Sequence, residues 1–93
     1  MSLVKRIKRV DLERDVRERT VDKLRHKVVC YYISPFNNLE RRCGYFEEYG
    51  DADTFAAMLW NAYSAYDFPY IIYINGDYYA KNKVNEFDRY FED

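Results

Sequence analysis

Residues Thr54 to Tyr66 carry no charged side chain, although one-third of the chain is Asp, Glu, Lys or Arg. After Asp67 the run stays uncharged to Gly76. Phe55, Met58, Leu59, Trp60, Tyr63, Tyr66, Phe68 and the stretch Tyr70 to Ile74 all fall within it. No solvated surface needs that much aromatic and aliphatic area, so the run supplies the core and leaves surface over for a partner. Thr54 to Tyr66 is expected to be a helix, broken at Asp67-Phe68-Pro69 because proline disfavours helix in the residue before it. Phe55, Met58, Leu59, Ala62 and Tyr66 form the expected core stripe, with Ala56, Trp60 and Tyr63 as a second stripe beside it. A helix apolar most of the way round is buried on more than one side.

The flanking segments set the fold class. Val28 to Ser34 is β-branched and aromatic and reads as a strand. Pro35 to Asn38 makes a turn, and residues 39–49 return through Cys43, Tyr45, Phe46 and Tyr49. Tyr70 to Ile74 is followed by Asn75-Gly76 and then Asp77 to Ala80, the preferred signal for a tight type I′ hairpin. Asn82 is placed to cap a short helix through Phe91. Residues 2–27 read as helix, capped at Ser2 or Asp11, as one long piece or as two broken near Asp11. The expected architecture is α+β: an N-terminal helix followed by two ββα units, forming a four-stranded antiparallel sheet with helices packed on it. At 93 residues this is a single domain, with a basic helical segment at 1–27 and an acidic, Tyr-rich body at 28–93.

With Asn75-Gly76 as the loop, Ile72 falls opposite Tyr79 and Tyr73 opposite Tyr78. Ile72, Ile74 and Tyr79 then share one face, and Ile71, Tyr73, Tyr78 and Ala80 the other. A sheet with one wet face alternates apolar and polar residues, and this hairpin does not. Either helices cover both faces, with the N-terminal helix on the second, or an aromatic face awaits a partner.

Charge is divided. Residues 1–33 hold ten Lys/Arg against five Asp/Glu, and residues 34–93 hold five against eleven. The halves can neutralise one another within the fold or across a homodimer, or they can reflect a charged partner. Arg14 and Glu18, Glu13 and Arg17, and Asp15 and Arg19 stand four apart, the spacing of intrahelical pairs. Only residues 5–9 are purely basic, which makes Lys5, Arg6, Lys8 and Arg9 the candidate contacts of a nucleic-acid-binding regulator.

Catalytic and metal chemistry find little support. His26 is the single histidine and lies between Arg25 and Lys27, where a solvent-facing position at a helix end is expected. Cys30 and Cys43 lack the close pairing of zinc ligands. A loop at Pro35 to Asn38 would set them opposite each other, as a buried pair of thiols or, in an oxidising setting, as a disulfide. Glu47 and Glu48 are neighbours on an expected strand and point apart, while Asp51 and Asp53 are expected as helix caps. Gly44, Gly50 and Gly76 are isolated, so there is no phosphate-cradling loop. No enzyme activity, cofactor, metal or membrane association is expected. With no apolar leader in view, the expected location is cytoplasmic.

The reading that remains is a small interaction or regulatory module. The acidic, tyrosine-rich body resembles in composition the small acidic inhibitors encoded by phages and mobile elements. The candidate partner-binding residues are Tyr49, Trp60, Tyr73, Tyr78 and Tyr79 with Glu47, Glu48 and Asp77, expected to meet a basic, nucleic-acid-handling protein.

Overall fold

A computed structural model describes residues 6–18 and 23–92. Their elements run α1 (Arg9–Arg17), β1 (His26–Ile33), β2 (Leu39–Phe46), α2 (Tyr49–Ala65), β3 (Tyr70–Ile74) and β4 (Asp77–Asn82), followed by a 3-10 helix over Val84–Tyr90. The four strands form one antiparallel sheet in the order β2-β1-β3-β4. This is the α+β architecture that the sequence leads one to expect.

Helices cover both faces. Val28, Cys30, Tyr70, Ile72 and Ile74 lie under α2 and pack with its Ala52, Ala56 and Tyr63. Val29, Tyr31, Ile33, Ile71 and Tyr73 point the other way, against Leu12 and Val16 of α1 and Phe87 and Tyr90 of the 3-10 helix. Central strands buried on both sides need continuous apolar sequence, which accounts for the lack of alternation in Val28 to Ile33 and Tyr70 to Ile74.

The Asn75-Gly76 turn has φ of 53° and 87°, the left-handed conformation that a type I′ turn requires at both positions. Asn75 also pins this turn to the start of β1. Its backbone N–H donates to the Lys27 carbonyl at 2.9 Å, its Oδ1 accepts from the Lys27 N–H at 2.9 Å, and its Nδ2 meets His26 Nδ1 at 2.9 Å. Gly44 answers a different need. A Cβ there would stand 2.8 Å from the Phe46 ring, which with Phe55 closes over the strand.

One ionic cluster docks α1. Lys27, only 4% exposed, sends its ammonium to the carbonyls of Asp15 and Glu18 at the end of α1 and to the Asp15 carboxylate. Arg41 grips the same carboxylate with two bonds, Nε to Oδ2 at 2.8 Å and a terminal nitrogen to Oδ1 at 2.7 Å. The Tyr31 hydroxyl donates to Oδ2 as well.

Several expected boundaries move. Within residues 6–18 helix is confined to Arg9–Arg17. Ile7 is extended, exchanging backbone bonds with Tyr90 and Glu92 beside the C-terminal segment. Lys8, and not Asp11, stands at the helix N-cap, while Ser2 lies outside the described residues. The helix ends when Lys27 takes its last carbonyls, a tertiary event with no local signal. β1 starts at His26, β2 stops at Phe46, and α2 begins five residues before Thr54. Glu48 occupies its N-cap without a side-chain bond, so Asp51 and Asp53 do not cap it; Asp51 sits in the first turn, where a carboxylate favours the helix dipole. The last helix is 3-10, entered through Lys83 at φ 50°, and Asn82 bonds back to Asp67 and Phe68 instead of capping it. Of the helical ion pairs, Arg14 takes Asp11, and Asp15 turns inward to Arg41.

Asp15→Asn is expected to lower stability by about 3 kcal/mol in urea denaturation, since it leaves Lys27 buried without its counter-charge. Burial alone would raise the Asp15 carboxyl, but hydrogen bonds from Arg41 and Tyr31 and the charges of Arg41 and Lys27 outweigh it and hold the group at about 2 against the usual 3.8. Its folded value is below its unfolded one, so its contribution is complete above about pH 4 and is lost as pH falls toward about 2. Melting curves should therefore show a decline between those pH values that is smaller in Asp15→Asn.

Candidate functional site

The α2 layer is where exposure and chemistry conflict. A helix lying close on a sheet turns small residues inward, and α2 buries Ala52 and Ala56 over Val28, Cys30 and Ile72. Tyr63 completes the contact, with Phe55 and Leu59 half-buried at its sides. The expected core stripe is therefore rotated. Met58 is 63% exposed, Tyr66 and Ala62 face water, and the outward surface of α2 carries Thr54, Met58, Asn61, Ala62 and Ala65 without a charge among them. Apolar residues all round α2 left its rotation to be decided by the fit on the sheet.

Carboxylates stand at the ends of this uncharged face. From Cys43 to Ala80 the chain has six carboxylates and no Lys or Arg. Glu47, Glu48, Asp51 and Asp53 gather at the amino-terminal end of α2, all exposed. Asp67 at the other end is held by Lys83 at 2.6 Å. Asp77 is exposed at the start of β4.

The candidate aromatic residues divide between the two faces. Trp60, 45% exposed, meets the half-buried Tyr79 edge-on at 6.1 Å. Tyr79 lies near Asp53 and Tyr49; burial first, and then these two neighbours, raise its phenol. Tyr49 is exposed and packs edge-on to His26 at 5.4 Å. Tyr49, Trp60 and Tyr79 thus stand together with Glu47, Glu48, Asp53 and Asp77 around the α2 layer. His26 is a half-buried residue at the start of β1, held by Asn75 and Tyr49, and not a solvated one at a helix end.

Tyr73 and Tyr78 belong to the α1 side. Tyr73 is only 8% exposed, part of the core, and its ring stacks on Tyr78 at 4.9 Å. Tyr78 is 63% exposed, with the Lys81 ammonium 4.7 Å above its ring. The expected exposed pair is thus one buried ring and one exposed ring. A bulge separates the faces differently from a regular hairpin. Tyr73 does pair with Tyr78, but Ile72 pairs with Ala80, and both Tyr79 and Ala80 pack toward α2.

The two thiols lie on opposite faces. Cys43 pairs with Val29 and Cys30 with Arg42, so Cys30 points under α2 and Cys43 toward the α1 core; both are free. A disulfide between them is excluded by this register. Burial pushes the Cys30 thiol up to about 12. Among the described residues no group of three or more His, Cys, Asp or Glu is arranged to hold a metal ion, and no helix is long and apolar enough to cross a membrane.

Of the nucleic-acid candidates, Arg6, Lys8 and Arg9 are exposed and Lys5 lies outside the described residues. Arg9 is occupied, paired with Asp88 at 3.4 Å and lying 4.0 Å over the Phe91 ring. Acids interleave the cations of α1, which leaves no continuous basic stripe along it.

Compared with protein-family models, curated proteins and solved structures, the chain matches none.

Labelling with Ellman's reagent should modify at most one thiol, Cys43, in the native protein and both after denaturation. Rapid native reaction of Cys30 would contradict its buried position.

Proposed function

We propose that the protein is a small non-enzymatic interaction module whose α2 layer docks a basic protein, and that it acts as an inhibitor by covering that partner's cationic surface. One observation carries the reading: exposed apolar and aromatic side chains, Met58, Trp60 and Tyr49, stand in a stretch with six carboxylates and no Lys or Arg. Exposed apolar area provides a desolvated centre for an interface. The acidic collar selects the sign of the partner and speeds encounter. Tyr49, Trp60 and Tyr79 offer ring faces and a hydroxyl rim to Arg and Lys side chains. A partner that handles nucleic acid presents such a surface.

Trp60 is the only tryptophan, so its emission reports directly on this layer. Titration with an amphipathic helical peptide bearing Lys and Arg should shift that emission, more weakly as salt is added, and the same peptide with Glu in their place should not. Asp51→Lys with Asp53→Lys should weaken the cationic peptide by about tenfold or more, with a melting temperature lowered only by the small cost of reversing charge in the first turn, because both sites are exposed. Indifference of the wild type to the cationic peptide would refute the proposal. The alternative, a nucleic-acid-binding regulator, predicts instead that a mixed-sequence oligonucleotide binds at low salt and is lost on reversing Lys5, Arg6, Lys8 and Arg9.

A further inference from the structure

The opposite face of the sheet holds a second site. α1 is clamped by Asp15 over β1 and β2, through Lys27, Tyr31 and Arg41. The 3-10 helix packs beside it, and the half of this face over β3 and β4 is left as a groove of about 450 Å³. Leu12, Val16, Ile71 and Tyr73 form its floor. Val84 and Phe91 make its far wall. That size and an apolar floor with a few polar groups on the rim are the features of small-ligand clefts.

The rim is asymmetric in charge. Arg9 and Asp88 neutralise each other at one end. Arg17 and Lys81 also line the groove, and neither meets a carboxylate at ion-pair distance among the described residues. Lys81 is held over the exposed ring of Tyr78, which also lines the groove. Glu13 is the one opposing charge without an ion pair, so two unpaired cations face one unpaired acid.

We infer that this groove is a binding site for an amphipathic organic anion, an aliphatic or aryl carboxylate whose apolar body lies on Leu12, Val16, Ile71 and Tyr73 and whose acid group sits between Arg17 and Lys81. The apolar body gains by leaving water. The acid group supplies the charge-assisted bonds that both cations lack. Tyr78 adds a ring edge and a hydroxyl at the mouth. The site is independent of the α2 layer, since the sheet stands between them.

8-Anilinonaphthalene-1-sulfonate, an aromatic anion, serves as the probe. Its fluorescence should rise with one saturable site on the native protein. Decanoate should displace it, and decyltrimethylammonium should not. Arg17→Gln with Lys81→Gln should weaken the probe and decanoate by about tenfold or more with a melting temperature little changed, because both side chains are exposed and no adverse charge is placed at the end of α1. Val84→Trp, which fills the groove from its wall and leaves both cations in the chain, should block both ligands. No saturable enhancement, equal displacement by the cationic detergent, or full binding by both variants would overturn the assignment. Because Trp60 is remote from the groove, its emission should remain constant through the decanoate titration; a shift would place the ligand on α2 and also overturn it.

Discussion

Asp15 is the joint on which the molecule depends. One carboxylate receives Arg41 from β2, Tyr31 and Lys27 from β1, and it does so from the inner side of α1. Without it the nine-residue helix α1, too short to be stable alone, would keep Leu12 and Val16, the Lys27 bonds to its last carbonyls and the exposed Arg9–Asp88 pair, but would lose its tie to β2. Paired buried charges contribute less to stability than to register. Here the pairing decides where along β1 and β2 the helix lies, which strand residues it covers, and so where the groove over β3 and β4 is left.

The two layers differ in kind. α2 is attached chiefly by fit, with Ala52 and Ala56 close on the sheet, aromatic rings around them and a hydrogen bond between the Ser64 and Tyr70 hydroxyls. Its carboxylates all remain outside, and among the described residues no cation lies at ion-pair distance from Glu47, Glu48, Asp51 or Asp53. α1 is attached by the Asp15 cluster together with Leu12 and Val16, and its own Arg9, Arg14 and Arg17 are matched in number by Asp11, Glu13 and Asp15.

Much of this architecture was legible in the sequence. The Asn75-Gly76 turn, the order of elements and the antiparallel sheet follow from local chemistry, because turn geometry and β-branched runs act over a few residues. What was not legible depended on distant partners. Nothing in residues 2–27 signals that Lys27 ends the helix at Arg17. Nothing in Thr54 to Tyr66 fixes the rotation of α2, since any face of it could have been buried; the alanines at 52 and 56 were the available hint. Tyr73 was read as surface because Tyr occupies both settings, and α1 decides the matter by lying above it. The bulge at Tyr79 left no sequence mark. Of the candidate residues, Tyr49, Trp60, Tyr78 and the acids are exposed and Tyr79 is half-buried, while the exposure of Met58 and the groove beside α1 had no sequence signal.

The hydrogen bonds of Asn75 also order events in time. The β1–β2 and β3–β4 hairpins can close locally, on the microsecond scale of such elements. β1 and β3 are neighbours in the sheet yet separated by β2 and all of α2, so their pairing needs a long loop to close. Asn75 can meet Lys27 and His26 only once that has happened. These contacts latch the two halves late in folding and, by the same geometry, resist their separation afterwards, so they act chiefly on how long the native state lasts.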